Sequence, residues 1–466
     1  MSIELDSTSE EVERALASAA AARLPFGALS PSQRQGMLHA AADALTDAAG
    51  ELIAIAIEET NLTEPRLRGE VARTAFQLRA YADAAVGAVR AEIDLADADA
   101  TPAPRPDLRL TSRPIGVVLN FAASNFPFAF SVAGTDTASA LAAGCPVIVK
   151  AHSGHPLLSR ATFKVLDRAL RAAGAPDGTV GIVFGREAGV TALRDDRVSA
   201  AAFTGSTSGG RALFDIANAR PRPIPFYGEL GSLNPVVVAP SAAAARSDEI
   251  LAGFTASVTG SSGQLCTKPG VLFWPSQVPF AERLSELLGA SAVHPLLTPG
   301  LQRGYQASVD AVLTAGAELV HGDPSAATVE ASALRTTASA IAAAPSALLE
   351  ECFGPASLVV TYDDESDLLA ALHAMEGNLT AAVFADAGDH DLVRAVLPVL
   401  EDNAGRILWG QWPTGVSVTR AQFHGGPYPA TTNPLHTSVG THAIDRFLRP
   451  ITYQNFPEEF LPAAVR

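Results

Sequence analysis

The chain has 466 residues, of which 48% are hydrophobic and 18% charged, so it can bury a large core divided among two or more domains. An excess of 49 acidic over 33 basic side chains gives a formal net charge of −16, which disfavours nucleic acid and anionic membrane surfaces as partners. Three scattered cysteines, in no CxxC or Cys/His metal pattern, are too few for a disulfide framework and indicate a reducing compartment.

The N-terminal residues and one long apolar run bear on localisation. Residues 1–14 carry five acidic side chains and no basic stretch ahead of an apolar segment, so we expect no secretory signal. The apolar run 115–149 is interrupted by asparagine, aspartate and proline, which favours a buried strand, helix and strand over a membrane span. The sequence predicts a cytoplasmic protein without a membrane partner.

The chain begins with helical patterns and then alternates between strands and helices. Residues 32–59 and 68–93 read as packing helices, and 96–113 as a linker or an extended edge hairpin. Strands are predicted at 115–121, 146–150, 179–184, 199–203 and 223–227, with helices at 130–143, 157–173 and 208–217 between them. This order predicts an α/β fold with a doubly wound parallel sheet, which binds ligands at the carboxyl ends of its strands.

A second α/β unit is predicted after residue 230. A strand at 234–239 and a helix at about 248–258 precede a glycine-rich loop, and the unit extends to about residue 420. Residues 424–448 are rich in Gly, Pro and Thr and are expected to form ordered loops over a site.

Three short segments carry candidate catalytic side chains. Cys266 closes the segment SSGQLC, Glu229 lies between glycines in YGELG, and Asn125 follows the first strand of the sheet in ASNFP. A thiol can act as a nucleophile, a mobile carboxylate as a general base and an amide as an oxyanion donor. Each has a plainer interpretation when it stands alone: an inert core cysteine, a solvated turn glutamate and a turn asparagine.

Candidate cofactor contacts lie along the same sheet. Lys150 ends the second strand, and Gly205 and Ser206 precede a helix in the segment FTGST, where backbone N–H groups can bind phosphate. The glycine spacing is not a GxGxxG fingerprint, so it is weak evidence by itself.

The order of these elements, Asn125, Lys150, Gly205–Ser206, Glu229, Cys266 and then ECFGP at 351–355, resembles the aldehyde dehydrogenase superfamily over nearly the whole chain. The resemblance implies that Cys266 attacks the aldehyde and that the Asn125 amide and the Cys266 backbone N–H stabilise the oxyanion. It also implies that Glu229 activates the water that cleaves the thioester, and that Glu351 and Phe353 hold the nicotinamide ribose and ring.

The resemblance also implies a domain division. Residues 1–97 and 115–229 would form a Rossmann-type cofactor-binding domain and 230–425 a catalytic domain. Residues 98–114 and 446–466 would form segments that join the subunits of a homodimer or homotetramer.

Further segments, among them 66–79, 131–140, 424–432, 437–440 and 446–450, are similar to the α-ketoglutaric semialdehyde (2,5-dioxopentanoate) dehydrogenases. NADP-dependent fatty aldehyde dehydrogenases share much of this pattern. Lys268, where the family has asparagine, and the segment 420–423 depart from it. The predicted reaction is oxidation of 2,5-dioxopentanoate to 2-oxoglutarate; the alternatives are a fatty or other aliphatic aldehyde dehydrogenase, a non-catalytic cofactor-binding homologue and a thioesterase-like hydrolase.

Cofactor preference and substrate charge can be argued from single positions. Many NAD-preferring relatives have a glutamate three residues after the lysine, where this chain has Ser153, and Arg186 can pair with a 2′-phosphate. We therefore expect NADP, or dual use of NADP and NAD. For a substrate carboxylate the candidates are Arg79 and Arg420, although for each a surface arginine is the plainer interpretation.

Overall fold

The structure, a computed structural model, describes residues 6–87, 91–323, 326 and 328–466. Its helices are α1 Ser9–Gly27, α2 Pro31–Asp47, α3 Ala49–Thr60, α4 Glu64–Gly87, α5 Thr135–Ala143, α6 Pro156–Ala172, α7 Arg186–Arg194, α8 Thr207–Asn218, α9 Pro240–Thr259, α10 Ala281–Gly289, α11 Pro299–Thr314, α12 Ala338–Ala343, α13 Pro345–Leu348, α14 Glu365–His373 and α15 His390–Asn403. Among the described residues, no helix combines the length and the hydropathy needed to cross a membrane.

The strands form three sheets. In chain order they are β1 Ala91–Asp94, β2 Leu108–Pro114, β3 Val117–Phe121, β4 Val147–Lys150, β5 Val180–Val183, β6 Val198–Thr204, β7 Phe226–Glu229, β8 Val236–Val238, β9 Val271–Pro275, β10 Glu318–His321, β11 Ser332–Thr337, β12 Ala356–Tyr362, β13 Asn378–Phe384, β14 Ala404–Trp409 and β15 Leu448–Gln454. The sheet orders are β5-β4-β3-β6-β7, β10-β11-β12-β9-β8-β13-β14 and β1-β2-β15.

The five-stranded sheet is parallel throughout, as the alternating pattern predicts. Its strands are almost wholly apolar because helices cover both faces. One face packs against a core that includes residues of α2–α6, and the other against a core with residues of α1, α7 and α8. The order along the sheet reverses at β3, so the crevice beside β3 and β6 is the expected ligand position.

The N-terminal helices differ from the prediction in two places. The segment 32–59 is two helices, because Ala48 takes φ −82° and ψ 0° and ends α2; no glycine or proline marks that break. The helix predicted at 68–93 ends at Gly87 instead, residues 88–90 lie outside the described residues, and 91–94 form β1. Helix α1, which the sequence analysis did not assign, begins at a capping box between Thr8 and Glu11.

The seven-stranded sheet is parallel except for its edge strand β10, and apolar cores cover both of its faces. The three-stranded sheet is antiparallel and pairs β2 with both β1 and the C-terminal strand β15. The predicted edge hairpin and the tail therefore meet in one small sheet. Their role in joining subunits stays a prediction.

The two parallel sheets bring opposite strand ends together. The carboxyl ends of β3, β4, β6 and β7 lead to Asn125, Lys150, Gly205 and Glu229, whereas Cys266 precedes the amino end of β9. Because β9 and β12 are parallel neighbours, the segment ECFGP before β12 lies beside the cysteine loop. The predicted site residues are thus gathered by sheet topology from distant parts of the chain.

Candidate active site

The turn that precedes Cys266 is held in a conformation that L-residues seldom adopt. Ser261, Ser262 and Gly263 follow one another with φ of 51°, 51° and 69°. A Cβ at position 263 would lie 2.0 Å from the carbonyl oxygen of Gly354, so the turn also requires a glycine. Such backbone strain persists only where surrounding contacts impose it. Here the Ser262 hydroxyl donates to the backbone carbonyl of His294 at 2.9 Å and accepts from the backbone N–H of His294 at 2.7 Å.

Two buried side chains hold the backbone on the other side of the cysteine. The Asn234 amide donates to the carbonyls of Cys266 and Lys268, each at 2.9 Å. Lys268 Nζ donates to the carbonyls of Cys352 at 2.7 Å and Ala356 at 2.6 Å. The lysine that departs from the family pattern therefore ties the cysteine loop to the segment ECFGP. Sequence reasoning noticed Lys268 but could not assign this contact.

The side chains of His424 and Glu229 lie beside the sulfur of Cys266. His424 Nε2 lies 3.7 Å from Cys266 Sγ and 3.1 Å from Glu229 Oε1, and the Ser438 hydroxyl donates to Glu229 Oε2 at 2.5 Å. Glu229 and His424 are buried, whereas Cys266 is half-buried. His424 was not among the predicted site residues. Its segment, HGGPYPATT, was recognised as part of a loop over the site, but nothing in the sequence pairs it with a carboxylate that lies 195 residues earlier.

The protonation of this cluster follows from its burial. Burial, and then the charge of Glu229, raise the pKa of the Cys266 thiol well above its ordinary value, so the free site holds a thiol. Burial also acts to raise the pKa of Glu229, but the contacts with His424, Ser438 and Cys266 outweigh it and the net pKa is lowered. The site therefore pairs a protonated nucleophile with an ionised carboxylate.

The same three groups are of the types that can bind a metal. One ligand atom from each of Glu229, Cys266 and His424 lies within 4.8 Å of the others. Because zinc binds the thiolate form of cysteine and Cys266 is a protonated thiol here, we interpret the cluster as a site of proton transfer.

Asn125 lies against the cysteine loop. Its Nδ2 donates to the Gln264 carbonyl at 2.9 Å, which leaves a second N–H for another acceptor. The backbone carbonyl of Asn125 accepts from Arg66 Nη2 at 2.9 Å, and Arg66 Nη1 donates to the Ser261 hydroxyl at 2.7 Å. Arg66 therefore bridges the segments that carry the candidate oxyanion donor and the cysteine.

The carboxyl edge of the five-stranded sheet offers a phosphate-binding surface. Helix α8 begins beside it, and Ser206 caps that helix by accepting from the Gly209 N–H at 3.3 Å. At the end of β4, Lys150 packs under α7, where a Cβ on Gly189 would lie 2.8 Å from the lysine Cγ. Burial, with the nearby Arg186 guanidinium adding to it, lowers the pKa of Lys150, although the carboxylate of Asp6 opposes the shift.

The segment ECFGP reaches the other side of that surface. A Cβ on Gly231 would lie 2.5 Å from Glu351 Oε2 and 2.7 Å from Thr207 Oγ1, so only glycine lets the carboxylate approach the start of α8. Burial raises the pKa of Glu351 to about 7, and the charge of Lys268 limits the rise. Phe353 is half-buried in the same turn. The residues present therefore fit a dinucleotide, with anion-binding groups at one end and an acceptor for sugar hydroxyls at the other.

The two candidate arginines for a substrate carboxylate, Arg79 and Arg420, both lie at the protein surface. Arg79 forms an ion pair with Asp43 on the protein surface, and Arg420 is exposed in the loop after β14. Neither has a contact that orients it toward Cys266 among the described residues. The contact with Asp43 therefore favours the plainer interpretation of Arg79 as a surface arginine.

A parallel sheet that offers a phosphate-binding carboxyl edge and a glutamate, and faces a second α/β unit that presents a cysteine, is the architecture of a nicotinamide-dependent dehydrogenase. A model of the aldehyde dehydrogenase family matches residues 4–446, and the chain belongs to that family. It is an oxidoreductase that acts on aldehydes with a nicotinamide cofactor.

Individual relatives agree with the family assignment. The chain is 44% identical over 470 residues to "Alpha-ketoglutaric semialdehyde dehydrogenase 2" of Azospirillum brasilense, covering 98% of this chain and 89% of the relative. It is 38% identical over 473 residues to "Alpha-ketoglutaric semialdehyde dehydrogenase" of Acinetobacter baylyi, with the same shares covered. Among solved structures, 1-pyrroline-5-carboxylate dehydrogenase from Thermus, with bound NAD, superimposes with a TM-score of 0.80 at 20% identity, covering 96% of this chain and 86% of that one.

Proposed function

We propose that this enzyme oxidises 2,5-dioxopentanoate (α-ketoglutaric semialdehyde) to 2-oxoglutarate and prefers NADP to NAD. The substrate is supported by the names of two relatives that match nearly the whole chain at 44% and 38% identity. The reaction rests on one observation: Cys266 Sγ, His424 Nε2 and Glu229 Oε1 lie together, with the thiol protonated and the carboxylate ionised.

The first step is attack of the thiol on the aldehyde. Cys266 Sγ forms a bond to the carbonyl carbon while its proton passes to Glu229, which lies close enough to accept it. His424 keeps that carboxylate in place by donating from Nε2 to Oε1. The thiol needs this base because its raised pKa leaves little thiolate at neutral pH.

The oxygen of the resulting thiohemiacetal carries the developing negative charge. The free N–H of Asn125 Nδ2 and the backbone N–H of Cys266 stabilise it, since Arg66 holds both segments in register. A nicotinamide held by Glu351 and Phe353 would supply the acceptor for the hydride that this carbon loses. The carbon then remains on the sulfur as a thioester.

Hydrolysis of the thioester returns the enzyme to its starting state. Glu229 first releases to solvent the proton that it took from Cys266. It then takes a proton from a water molecule, the water oxygen forms a bond to the acyl carbon, and the carbon–sulfur bond breaks. The thiolate that leaves takes the proton back from Glu229, and the acid is released. Burial of Glu229 between His424 and Ser438 keeps the carboxylate directed at the acyl group.

The cofactor assignment rests on charge at the carboxyl edge of the sheet. Lys150 and Arg186 are near enough to each other for their charges to interact, and Arg186 begins helix α7, whose N-terminus favours anions. Ser153 is exposed and carries no charge that would repel a 2′-phosphate. Glu351, Phe353, Gly205 and Ser206 would hold the rest of the dinucleotide.

The domain division and assembly belong to the same proposal. Residues 1–97 and 115–229 would bind the cofactor and 230–425 would carry the cysteine. The sheet formed by β1, β2 and β15 leaves β1 and β15 as edge strands, which supports the interpretation of 98–114 and 446–466 as subunit-joining segments of a homodimer or homotetramer.

A substrate series tests the proposal. We expect kcat/KM for 2,5-dioxopentanoate to exceed that for pentanal and for dodecanal by about 100-fold or more, and NADP to be preferred to NAD. Preference for dodecanal would identify a fatty aldehyde dehydrogenase instead. Equal use of all three aldehydes would contradict the acid semialdehyde assignment without affecting the family.

A further inference from the structure

Helix α4 presents a row of charged side chains toward the active site. Arg66, Glu70 and Arg73 follow at the i, i+4 and i+7 positions, which share one face of a helix. Arg66 holds the carbonyl of Asn125, and Glu70 Oε1 accepts the backbone N–H groups of Phe128 and Ala129 at 2.8 and 3.0 Å. The first two members of the row therefore position the segment after β3.

The third member, Arg73, is only partly engaged. Its Nη1 donates to the Val416 carbonyl at 2.8 Å, and its guanidinium lies 5.8 Å from the centroid of the Phe130 ring. Among the described residues, Nε and Nη2 have no hydrogen-bond acceptor although both are shielded from solvent. Those two nitrogens lie on the same edge of the guanidinium, the edge that forms paired hydrogen bonds with a carboxylate.

The surroundings of Arg73 are built for a polar ligand with an apolar chain. One turn further along α4, both polar atoms of the fully buried Gln77 side chain also lack a partner among the described residues. Phe126 and Phe130, whose ring centroids are 5.2 Å apart, form an apolar cluster with Val416 beside the guanidinium. Shielded N–H groups of a guanidinium, such as those of Arg73 Nε and Nη2, are costly to leave without an acceptor unless a ligand supplies one.

Arg73 also lies within electrostatic reach of the chemistry. Burial lowers the pKa of Arg73, and the acidic groups around it, Tyr81, Cys266, Glu70 and Glu229, oppose that shift. Burial also lowers the pKa of Arg406, with Cys266 opposing the shift, but Arg406 donates from both Nη atoms to the carbonyls of residues 415 and 413. Of these two arginines, Arg73 is the one whose adjacent Nε and Nη2 groups both lack an acceptor among the described residues.

We propose that Arg73 binds the distal carboxylate of an acid semialdehyde through Nε and Nη2, while Cys266 attacks the aldehyde at the other end. This inference rests on the proposed function, because it assigns the recognition of that substrate class to a residue. It replaces Arg79, which lies six residues further along the same helix and is paired with Asp43. Arg73 is a specificity-determining residue in this role and takes no part in proton transfer.

The test compares substrates in matched variants. In Arg73→Met we expect kcat/KM for 2,5-dioxopentanoate to fall about 100-fold, mainly through KM, whereas kcat/KM for pentanal, which has five carbons and no charge, changes by less than about threefold. Arg73→Lys, which keeps the charge but not the paired donors, should recover part of the loss. Arg79→Met is the control and should leave both substrates within about threefold of the wild type.

Product inhibition supplies a readout that does not depend on the true substrate. We expect the inhibition constant of 2-oxoglutarate to rise at least about tenfold in Arg73→Met and to stay unchanged in Arg79→Met. Equal losses on 2,5-dioxopentanoate and pentanal, or an unchanged inhibition constant, would overturn the assignment of Arg73. A wild-type enzyme that prefers pentanal would overturn the proposed substrate instead, and the inhibition constants would still decide whether Arg73 binds a carboxylate.

Discussion

The cluster around Cys266 and the surface around Lys150 lie at the two ends of one site but are built in opposite ways. Glu229 and His424 are buried and bonded to each other and to partners within the protein. At the far end, Ser153 in the connection after β4 and Arg186 at the first position of α7 are exposed side chains. The first region fixes its geometry through internal contacts, whereas the second depends on the ligand to organise it.

This difference predicts how each region responds to change. A substitution in the buried cluster removes a partner that nothing else can replace, because water has little access. A substitution on the exposed surface changes a screened electrostatic interaction that water and salt already weaken. Large effects on the reaction should therefore come from the first region, and small effects on cofactor choice from the second.

The largest expected effect is at the sulfur. Replacing Cys266 with alanine removes the atom that forms the acyl bond, so we expect kcat to fall about 10⁴-fold or more. The measurement is aldehyde-dependent production of NADPH, with Cys145→Ala as the control because that buried thiol lies in the core between the five-stranded sheet and helices α2–α6. Appreciable oxidation by the Cys266→Ala enzyme would contradict a covalent mechanism.

The next effect is at the histidine that sequence reasoning missed. In His424→Ala the Glu229 carboxylate loses the hydrogen-bond donor at Oε1, and we expect kcat to fall about 100-fold. Because the contacts with His424 help to lower the pKa of Glu229, their loss raises it, and the acid limb of the pH profile should move to higher pH. The exposed His442→Ala is the control. An acid limb that stays in place would show that His424 does not set the charge of Glu229.

A smaller effect is expected where the two regions meet, at Glu351. Its pKa of about 7 means that the carboxylate is mostly protonated at pH 6 and mostly ionised at pH 8. If the ionised form accepts the ribose hydroxyls, the Kd for NAD should rise about tenfold as pH falls from 8 to 6, since the ionised fraction falls by that factor. NAD is the suitable ligand because it lacks a 2′-phosphate that would titrate. Glu351→Gln should abolish the dependence, and an unchanged pH profile would refute the role.

The fold class and the order of the strands could be predicted because they depend on local pattern, whereas the strand predicted at 223–227 is displaced to Phe226–Glu229. Apolar runs such as 147–150 and 198–204 can only be buried strands between helices, and their order requires a parallel sheet. The break at Ala48 could not be predicted, because an alanine can continue a helix and the tertiary packing decides otherwise.

Only those site residues that lie within short sequence motifs could be predicted. Asn125, Glu229 and Cys266 lie in recognisable segments, and the structure brings Glu229 and Cys266 together and places Asn125 against the cysteine loop. His424 and Asn234 act through contacts across 158 and 32 residues of sequence, which no local pattern encodes. Arg73 and Arg79 look equivalent in the sequence, and only the partner of each guanidinium separates them.

The smallest expected effect is at Asp6, whose carboxylate lies near Lys150 and Gly185. A Cβ on Gly185 would lie 2.6 Å from Asp6 Cγ, and the charge of Asp6 reaches Lys150, so a negative group sits beside the surface proposed for the 2′-phosphate. Because Asp6 is exposed, its repulsion is screened, and we expect Asp6→Asn to raise kcat/KM for NADP about threefold and to leave NAD nearly unchanged. Ser153→Glu should act in the opposite direction, and Glu10→Gln, an exposed change on α1, is the control. A gain with NAD equal to that with NADP would place the 2′-phosphate elsewhere, because only the phosphate distinguishes the two cofactors.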